Sequence, residues 1–198
     1  MAESVAGRWV GAGHDVLIGA RTSASAREVA QRIGAHWGSL ADAAEFGEAA
    51  LLAVSLPGVD DVLDAVGDRL RGKTVLDCVN ALDASNFTLV RFAEGSLAEH
   101  IAARSGAQVV KAFNTANFHV WRDSPRYGGK QLAIPVAGDE AGQALATQLI
   151  IDAGAQPIFI GGLPQTGLIE AVAVVVIQQL FSGADPTITL NFTAADSS

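Results

Sequence analysis

The sequence predicts an α/β fold with a doubly wound, mostly parallel sheet. Three observations support this prediction. Helix-like and strand-like segments alternate along the whole chain, the predicted strand at residues 49–55 is continuously apolar up to Val54, and hydrophobic residues make up 49% of the 198 residues. A continuous apolar run is typical of a parallel strand that is covered on both faces. We therefore expect a single domain over residues 1–198 with a sizeable core.

Helices are predicted where apolar residues recur at helical spacing between capping residues and glycines. Residues 1–10 form the first helix, which Gly11 and Gly13 end. Residues 23–33 form the second, because Thr22 or Ser23 can cap its start and Gly34 can close it. The further helices are predicted at residues 40–46, 59–70, 96–103 and 139–153, and a C-terminal packing helix is predicted at residues 165–182.

Short apolar runs between the helices predict the strands. Most of them are bounded by glycine, proline or small polar residues, which favour turns. The strands are predicted at residues 14–19, 35–37, 49–55, 74–79, 108–112, 131–137 and 156–160, with loops at residues 80–87 and 113–130.

Composition and charge exclude several classes of function. The net charge is −8 and the pI is about 4.8, and no basic run is present, so nucleic acid and anionic membranes are unsuitable partners. Cys78 is the one cysteine, which leaves no intramolecular disulfide and no multi-cysteine metal motif. The apolar run at residues 168–180 is too short to span a bilayer, and no signal peptide is recognisable. We expect a soluble, cytoplasmic protein without a metal centre.

Small polar residues follow four of the predicted strands. In open α/β sheets, ligands bind outside the carboxyl ends of the strands. Side chains and backbone amides of this kind suit a neutral ring amide and a ribose, although each residue type is also a common turn former. The four segments are Arg21–Ser23, Ser55–Gly58, Asn80–Leu82 and Asn114–Asn117.

Arg21 indicates which dinucleotide the chain binds. In a doubly wound dinucleotide fold, the adenosine ribose lies at the end of the second strand, where an acid favours the 2′-hydroxyl and an arginine accommodates a 2′-phosphate. The sequence offers Arg21 and no acid at this point, which favours NADP over NAD. The first strand and the glycine-rich turn are expected upstream, yet only ten residues precede Gly11.

Several motifs, in order along nearly the whole chain, resemble one family. They are IGAR at residues 18–21, VLDCVNAL at 75–82, VKAFNT at 110–115, VAGD at 136–139 and GGLPQTGLIE at 161–170. Together they look like the NADPH-dependent F420 reductase family, which comprises proteins similar to the F420:NADP oxidoreductases. The metalloreductase domain of the STEAP proteins and pyrroline-5-carboxylate reductase are more remote relatives. The resemblance implies a Rossmann-like NADP-binding domain that transfers hydride to coenzyme F420 or a similar acceptor.

The resemblance also implies roles for individual residues. The first group would hold the 2′-phosphate, the second would line the path from adenosine to pyrophosphate, and the third would approach the nicotinamide. Residues 116–119 and 162–166 would face the second substrate, where His119 is a candidate donor of a hydrogen bond or proton, or else an exposed loop residue. The C-terminal helix would form a homodimer. The residues that would hold the 2′-phosphate are Ala20, Arg21, Thr22 and Ser23. Those that would line the path to the pyrophosphate are Ser55, Leu56 and Pro57, and those that would approach the nicotinamide are Asn80, Asn114 and Thr115.

The chain departs from the family pattern in three places. It lacks the first strand and the GxGxxG turn, so we expect a gap in the centre of the sheet and a misassigned start or a fragment, with roughly 10 to 20 residues lost. A degenerate, non-catalytic nucleotide-binding or interaction module is the alternative. Ala20 and Ser25 replace a frequent serine and a frequent basic residue. Gly167 replaces an arginine, which leaves open a flavin, a ferric chelate or a small imine or carbonyl as acceptor.

Overall fold

Helices and strands alternate along the chain in the order that the sequence predicts. The computed structural model describes residues 1–123, 126–127 and 129–192. The helices are α1 (Ala2–Gly11), α2 (Ser23–Ile33), α3 (Leu40–Phe46), α4 (Val59–Val66), α5 (Leu97–Ser105), α6 (Phe118–Asp123), α7 (Glu140–Asp152) and α8 (Thr166–Phe181). The strands are β1 (Leu17–Gly19), β2 (His36–Gly38), β3 (Ala49–Leu52), β4 (Thr74–Asp77), β5 (Leu82–Asp83), β6 (Thr88–Leu89), β7 (Gln108–Lys111), β8 (Arg126–Tyr127), β9 (Lys130–Gln131), β10 (Ala133–Gly138) and β11 (Gln156–Gly161). Short 3-10 turns span Leu56–Gly58, Gly67–Leu70 and Leu163–Gln165.

Five strands form the main sheet in the order β11-β10-β7-β4-β3. β3, β4 and β7 run parallel, whereas β10 runs parallel to β11 and antiparallel to β7. Two core clusters lie on opposite faces. One includes Trp9 of α1 and Ile150 of α7, and the other includes Leu63 of α4 and Ile101 of α5. The structure thus confirms the doubly wound, mostly parallel sheet.

The local sequence explains where individual helices begin and end. The Thr22 hydroxyl caps α2 by accepting a hydrogen bond from the Ser25 amide at 3.3 Å. Gly34 closes the same helix with a φ of 75°, a left-handed conformation that glycine adopts without strain. Ser96 and Glu99 form a reciprocal capping box at the start of α5, in which each side chain accepts the other's backbone N–H.

A slot separates β1 from β3. In the described part of the chain, β1 pairs with β2 alone, and β3 pairs with β4 on its other side alone. The Leu52 carbonyl bonds toward β4 and the Val16 carbonyl bonds toward β2. Because backbone groups alternate in direction along a strand, those of Leu51 and Leu17 point into the slot. The gap that we expect at the centre of the sheet is therefore present.

The slot forms a partly open cavity of about 360 Å³. Its lining is largely apolar and includes Trp9, Leu17, Leu51 and Leu149. Apolar side chains of β1 and β3 therefore face each other across the slot, and no strand packs between them in the described part of the chain.

Several strands are shorter than predicted, and two predicted loops contain regular structure. β1 begins at Leu17 rather than at residue 14. β4 ends at Asp77 because the Asp77 carboxylate accepts a hydrogen bond from the Val79 amide at 2.8 Å, which turns the chain out of the sheet. The loop predicted at residues 80–87 contains parts of the β5–β6 hairpin, and the loop predicted at residues 113–130 contains α6 and β8.

The last helix corrects one expectation. The helical segment Leu163–Phe181 has 19 residues and is long and apolar enough, by length and composition alone, to cross a membrane. The length of the apolar run at residues 168–180 therefore does not exclude a membrane-spanning helix. The side chains of Thr166, Ile169 and Glu170 are nonetheless buried inside the molecule. This packing fixes one face of α8 against the sheet and α5.

Candidate active site

Three predicted site residues follow neighbouring parallel strands at the same distance from the strand ends. The backbone register aligns Leu52 of β3 with Asp77 of β4, and Asp77 with Lys111 of β7. Three residues beyond each aligned position lie Ser55, Asn80 and Asn114 respectively. The topology therefore brings the ends of these three strands to one edge of the sheet, as the sequence predicts. Arg21 follows β1, on the far side of the slot.

Buried polar atoms without partners mark this edge. Within the described residues, no hydrogen-bond partner is present for Asn80 Oδ1, for either polar atom of the Asn114 side chain or for Thr115 Oγ1. Asn114 is 4% exposed and Thr115 is 1% exposed. Leaving such a group buried and unpaired costs about 1–3 kcal/mol. These atoms can therefore receive a ligand that offers both donors and acceptors, such as a carboxamide with a ribose.

The backbone before Asn114 is held in an unusual conformation. Phe113 has a φ of 67°, in the left-handed region that a bulky residue rarely adopts. Its ring is buried between Trp9 and Trp121, with centroid distances of 6.2 and 5.0 Å and edge-to-face geometry. Packing of the Phe113 ring between two tryptophans thus holds the strained backbone conformation in place. Strained conformations that are held in this way cluster at functional sites.

The Arg21 guanidinium is available to an anion. Arg21 is exposed, and across the described parts of the chain it makes no hydrogen bond or ion pair. Ala20 is half-buried directly before it, and Thr22 and Ser23 are exposed at the start of α2. Arg27 lies with its guanidinium carbon 4.5 Å from the centroid of the Trp37 ring, so its charge is already engaged by an aromatic face.

The segment after β3 has a different character. Ser55, Leu56 and Pro57 open a 3-10 turn, in which the Gly58 amide donates to the Ser55 carbonyl at 2.8 Å. Ser55 and Pro57 are exposed, whereas Leu56 packs against the core. These residues border the slot side of the sheet edge. The path from adenosine to pyrophosphate, which the family resemblance implies for them, stays a prediction.

His119 lies in α6 rather than in an irregular loop. Its ring is half-buried and packs against Phe118 with centroids 4.1 Å apart. Its backbone amide donates to Asn117 Oδ1 at 3.0 Å. Trp121 of the same helix is fully buried against Phe113, so it anchors the segment and is not free to stack on an acceptor.

Two other chemistries find little support in the described residues. Cys78 is buried, and its thiol donates to the Leu52 carbonyl at 3.4 Å. Burial, together with the neighbouring Asp77 charge, raises the pKa of the Cys78 thiol to about 12, so the nucleophilic thiolate is not accessible. No group of three or more metal-ligating side chains is found in the part of the chain that the structure describes.

The structure adds two residues that the sequence analysis missed. Asp77 and Lys111 are fully buried on adjacent strands and form an ion pair at 2.8 Å. Lys111 also lies 3.3 Å from Glu170 of α8. A charged residue inside each of two apolar strand runs was the available signal, since such residues are almost never fully buried unless paired.

Comparison with known families supports the resemblance seen in the motifs. Residues 1–81 match the family described as NADP oxidoreductase, coenzyme F420-dependent. This range holds α1, β1 and the strands on both sides of the slot. No curated protein matches the chain.

Solved structures of similar fold extend over the whole chain. A candidate F420-dependent NADP reductase from Arthrobacter sp. FB24 superposes with a TM-score of 0.81 at 26% identity, covering 98% of this chain and 94% of the other. A hypothetical protein from Sinorhizobium meliloti superposes with a TM-score of 0.76 at 27% identity, covering 98% and 90%. An imine reductase from Myxococcus stipitatus, in complex with NADP+, gives a TM-score of 0.68 at 18% identity, covering 92% and 58%, and shows likeness of fold alone.

The fold, the strand-end site and the matches agree. The chain is therefore an oxidoreductase of Rossmann-like fold whose residues 1–81 carry the sequence pattern of the coenzyme F420-dependent NADP oxidoreductase family.

Proposed function

We propose that the chain binds NADPH along the carboxyl edge of its sheet and transfers hydride between the nicotinamide and coenzyme F420 or a similar acceptor. One observation carries the proposal: the unpaired buried polar atoms of Asn80, Asn114 and Thr115 at the ends of adjacent parallel strands. The family match over residues 1–81 and the resemblance to the Arthrobacter protein support the F420 assignment.

The residues present fit a dinucleotide at both of its ends. The exposed Arg21 guanidinium suits a 2′-phosphate, and the Asn114 and Thr115 side chains suit the carboxamide and ribose of the nicotinamide. Ala2, at the start of α1, lines the slot, and Met1 offers no side-chain cap there. The Glu3 carboxylate in this first turn is held by the Arg32 guanidinium at 2.9 Å, which neutralises a charge that would repel a pyrophosphate.

The protein's contribution is binding and positioning. NADPH supplies the hydride when it is bound, so a nucleophile is not required of the chain. Asn114 and Thr115 would hold the carboxamide and ribose of the nicotinamide through hydrogen bonds, and the buried Phe113 and Trp121 exclude water from the strand ends. Holding two reactants in a near-attack geometry can remove about 7–11 kcal/mol from a reaction barrier.

The acceptor is tested by following NADPH oxidation with F420, FMN, a ferric chelate and small cyclic imines. We expect turnover with F420 or a similar planar acceptor. Activity confined to imines or to ferric chelates would contradict the F420 assignment while leaving the NADPH site in place. Tight NADPH binding without turnover of any acceptor would instead support a nucleotide-binding module.

Arg21 provides the sharpest test of the cofactor. Arg21→Ala should weaken NADPH binding about tenfold or more, because a charge-assisted contact to the 2′-phosphate is lost, and should change NADH binding little. Arg27→Ala is the matched control, since it removes a nearby positive charge that is stacked on Trp37. Fluorescence titration of both variants with both nucleotides measures the effect. Equal losses for NADPH and NADH would contradict the role.

We further propose a homodimer formed through α8. Leu168, Val175 and Phe181 are 61%, 58% and 72% exposed on this helix, which is a large apolar surface for an isolated molecule. Size-exclusion chromatography with light scattering measures the assembly, and a monomer at high concentration would contradict it.

A further inference from the structure

Behind the candidate active site lies a buried cluster of one lysine and two carboxylates. Lys111 and Asp77 are 0% exposed and Glu170 is 1% exposed. The Lys111 ammonium donates to Asp77 Oδ2 at 2.8 Å and lies 3.3 Å from Glu170 Oε1. A buried ion pair adds little net stability compared with an apolar pair of similar volume. The cluster therefore calls for an explanation other than stability.

The cluster clamps the residue before Asn80. The Val79 N–H donates to Asp77 Oδ1 at 2.8 Å, and the Val79 carbonyl accepts from the Lys111 ammonium at 2.6 Å. Both polar groups of one peptide residue are thus fixed by two charged side chains that are bonded to each other. Val79 has left the sheet at this point, since β4 ends at Asp77. The two hydrogen bonds to Val79 thus hold the backbone where the strand pairing of β4 has ended.

The same lysine connects the clamp to the neighbouring strand end and to two helices. Lys111 is the last residue of β7, three positions before Asn114. Glu170 of α8 accepts hydrogen bonds from the Leu97 and Ala98 amides of α5, each at 3.2 Å. The strand ends that carry Asn80 and Asn114 are thereby tied to one point in the core.

We propose that Lys111 is a positioning residue that holds Asn80 and Asn114 in register for the nicotinamide end of the dinucleotide. The inference rests on the proposed function, because it assumes that these side chains meet a ligand there. Lys111 has no exposed surface and acts through Val79 and Asp77. Its loss should disturb the nicotinamide half of the site and leave the adenosine half, at Arg21, unchanged.

The test uses Lys111→Met in the full chain, with Lys73→Met as the matched control. Lys73 precedes β4, the strand beside β7, at the opposite edge of the sheet from Lys111. Its ammonium donates to the carbonyls of Ala44, Glu45 and Gly47. Both substitutions remove a lysine that binds backbone carbonyls. We measure the affinity for NADPH and for 2′,5′-ADP, which carries the adenosine half alone.

Lys111→Met should weaken NADPH binding about tenfold or more and leave 2′,5′-ADP binding unchanged, whereas Lys73→Met should affect neither. Equal NADPH affinity in Lys111→Met and the unsubstituted protein would overturn the proposal, as would a parallel loss for both ligands.

If the single variant fails to fold because two carboxylates are left unpaired, Lys111→Met combined with Asp77→Asn and Glu170→Gln removes the charges together. The proposal predicts the same selective loss for that protein.

Hydrogen–deuterium exchange separates this proposal from the proposed function. Amides at residues 78–82 and 113–117 should exchange faster in Lys111→Met, but not in Lys73→Met, whether or not nucleotide is present. If the unsubstituted protein binds no NADPH, the proposed function fails, and the exchange experiment still decides whether Lys111 holds these segments. Unchanged exchange there would refute the positioning role.

Discussion

Thr115 and Thr166 show what burial means for a single hydroxyl. Both side chains are fully buried, at 1% and 0% exposure. Thr166 bonds to Ser96 Oγ at 2.8 Å and to the Leu163 carbonyl at 2.7 Å. Thr115 Oγ1 has no partner in the described part of the molecule. The Thr166 hydroxyl therefore stabilises the fold, whereas the unpaired Thr115 hydroxyl lowers stability unless a ligand binds it.

Substituting each threonine by valine should separate the two roles. Thr166→Val should lower the free energy of unfolding by about 1–3 kcal/mol because its partners become unsatisfied. Thr115→Val should leave stability unchanged or raise it, and should weaken NADPH binding. Urea denaturation and nucleotide titration of both variants give the comparison. A similar loss of stability in both variants would show that Thr115 has a structural partner instead.

Among the elements, α5 is tied to α4 by His100 and by Arg104, which pairs with Asp60 and Asp64. His100 Nε2 lies 2.8 Å from Asp60 Oδ1, and His100 Nδ1 lies 3.1 Å from Glu94 Oε2. The ring also stacks on Phe92 at a centroid distance of 4.8 Å. Burial lowers the pKa of His100, but the hydrogen bonds and charges of Asp60 and Glu94 outweigh it, so the pKa is raised above the ordinary value of 6.5.

The sign of this shift sets the pH dependence. A raised pKa in the folded state means that protonated His100 stabilises the fold. That contribution is fully present below about pH 6.5, the unfolded value, and is lost as the pH rises through the folded pKa. His100→Gln should therefore lower the melting temperature more at pH 5.5 than at pH 9. The exposed His36 gives the control variant His36→Gln, and an equal loss at both pH values would contradict the assignment.

At the scale of the whole molecule, the slot between β1 and β3 is the main irregularity. The sheet is split into two pieces at the position where a single strand would pair with both edges. Ala2, at the start of α1, lines the slot, and α1 ends at the turn before β1. Residues fused ahead of Met1 would therefore begin beside the slot.

An engineered extension tests the slot directly. Five apolar residues and a glycine turn, fused ahead of Met1, should raise the melting temperature, because the added strand buries apolar surface of the slot. Each kcal/mol gained raises the melting temperature of a domain of this size by about 2–4 °C. A same-length extension of alternating proline and glutamate is the control. Amides of β1 and β3 should also exchange more slowly in the first protein only. Equal melting temperatures would show that the slot does not accept a strand.

The sequence determined the alternation of helices and strands, because apolar periodicity and capping residues are local signals. It also placed Asn80, Asn114 and Arg21 at strand ends, since turn-forming polar residues after apolar runs are readable without a structure. It did not reveal α6, because residues 118–123 include too few apolar residues to show a helical pattern. The segment is fixed instead by the burial of Trp121 against Phe113.

Only the tertiary structure decided which polar groups have partners. Thr115 and Thr166 look alike in the sequence, and their roles differ because Ser96, 70 residues away from Thr166, bonds to one hydroxyl and not to the other. The Lys111–Asp77–Glu170 cluster joins positions 34 to 93 residues apart, which no local pattern encodes. Sequence specifies the elements through short-range physics, whereas the pairing of buried charges depends on how the sheet brings distant residues together.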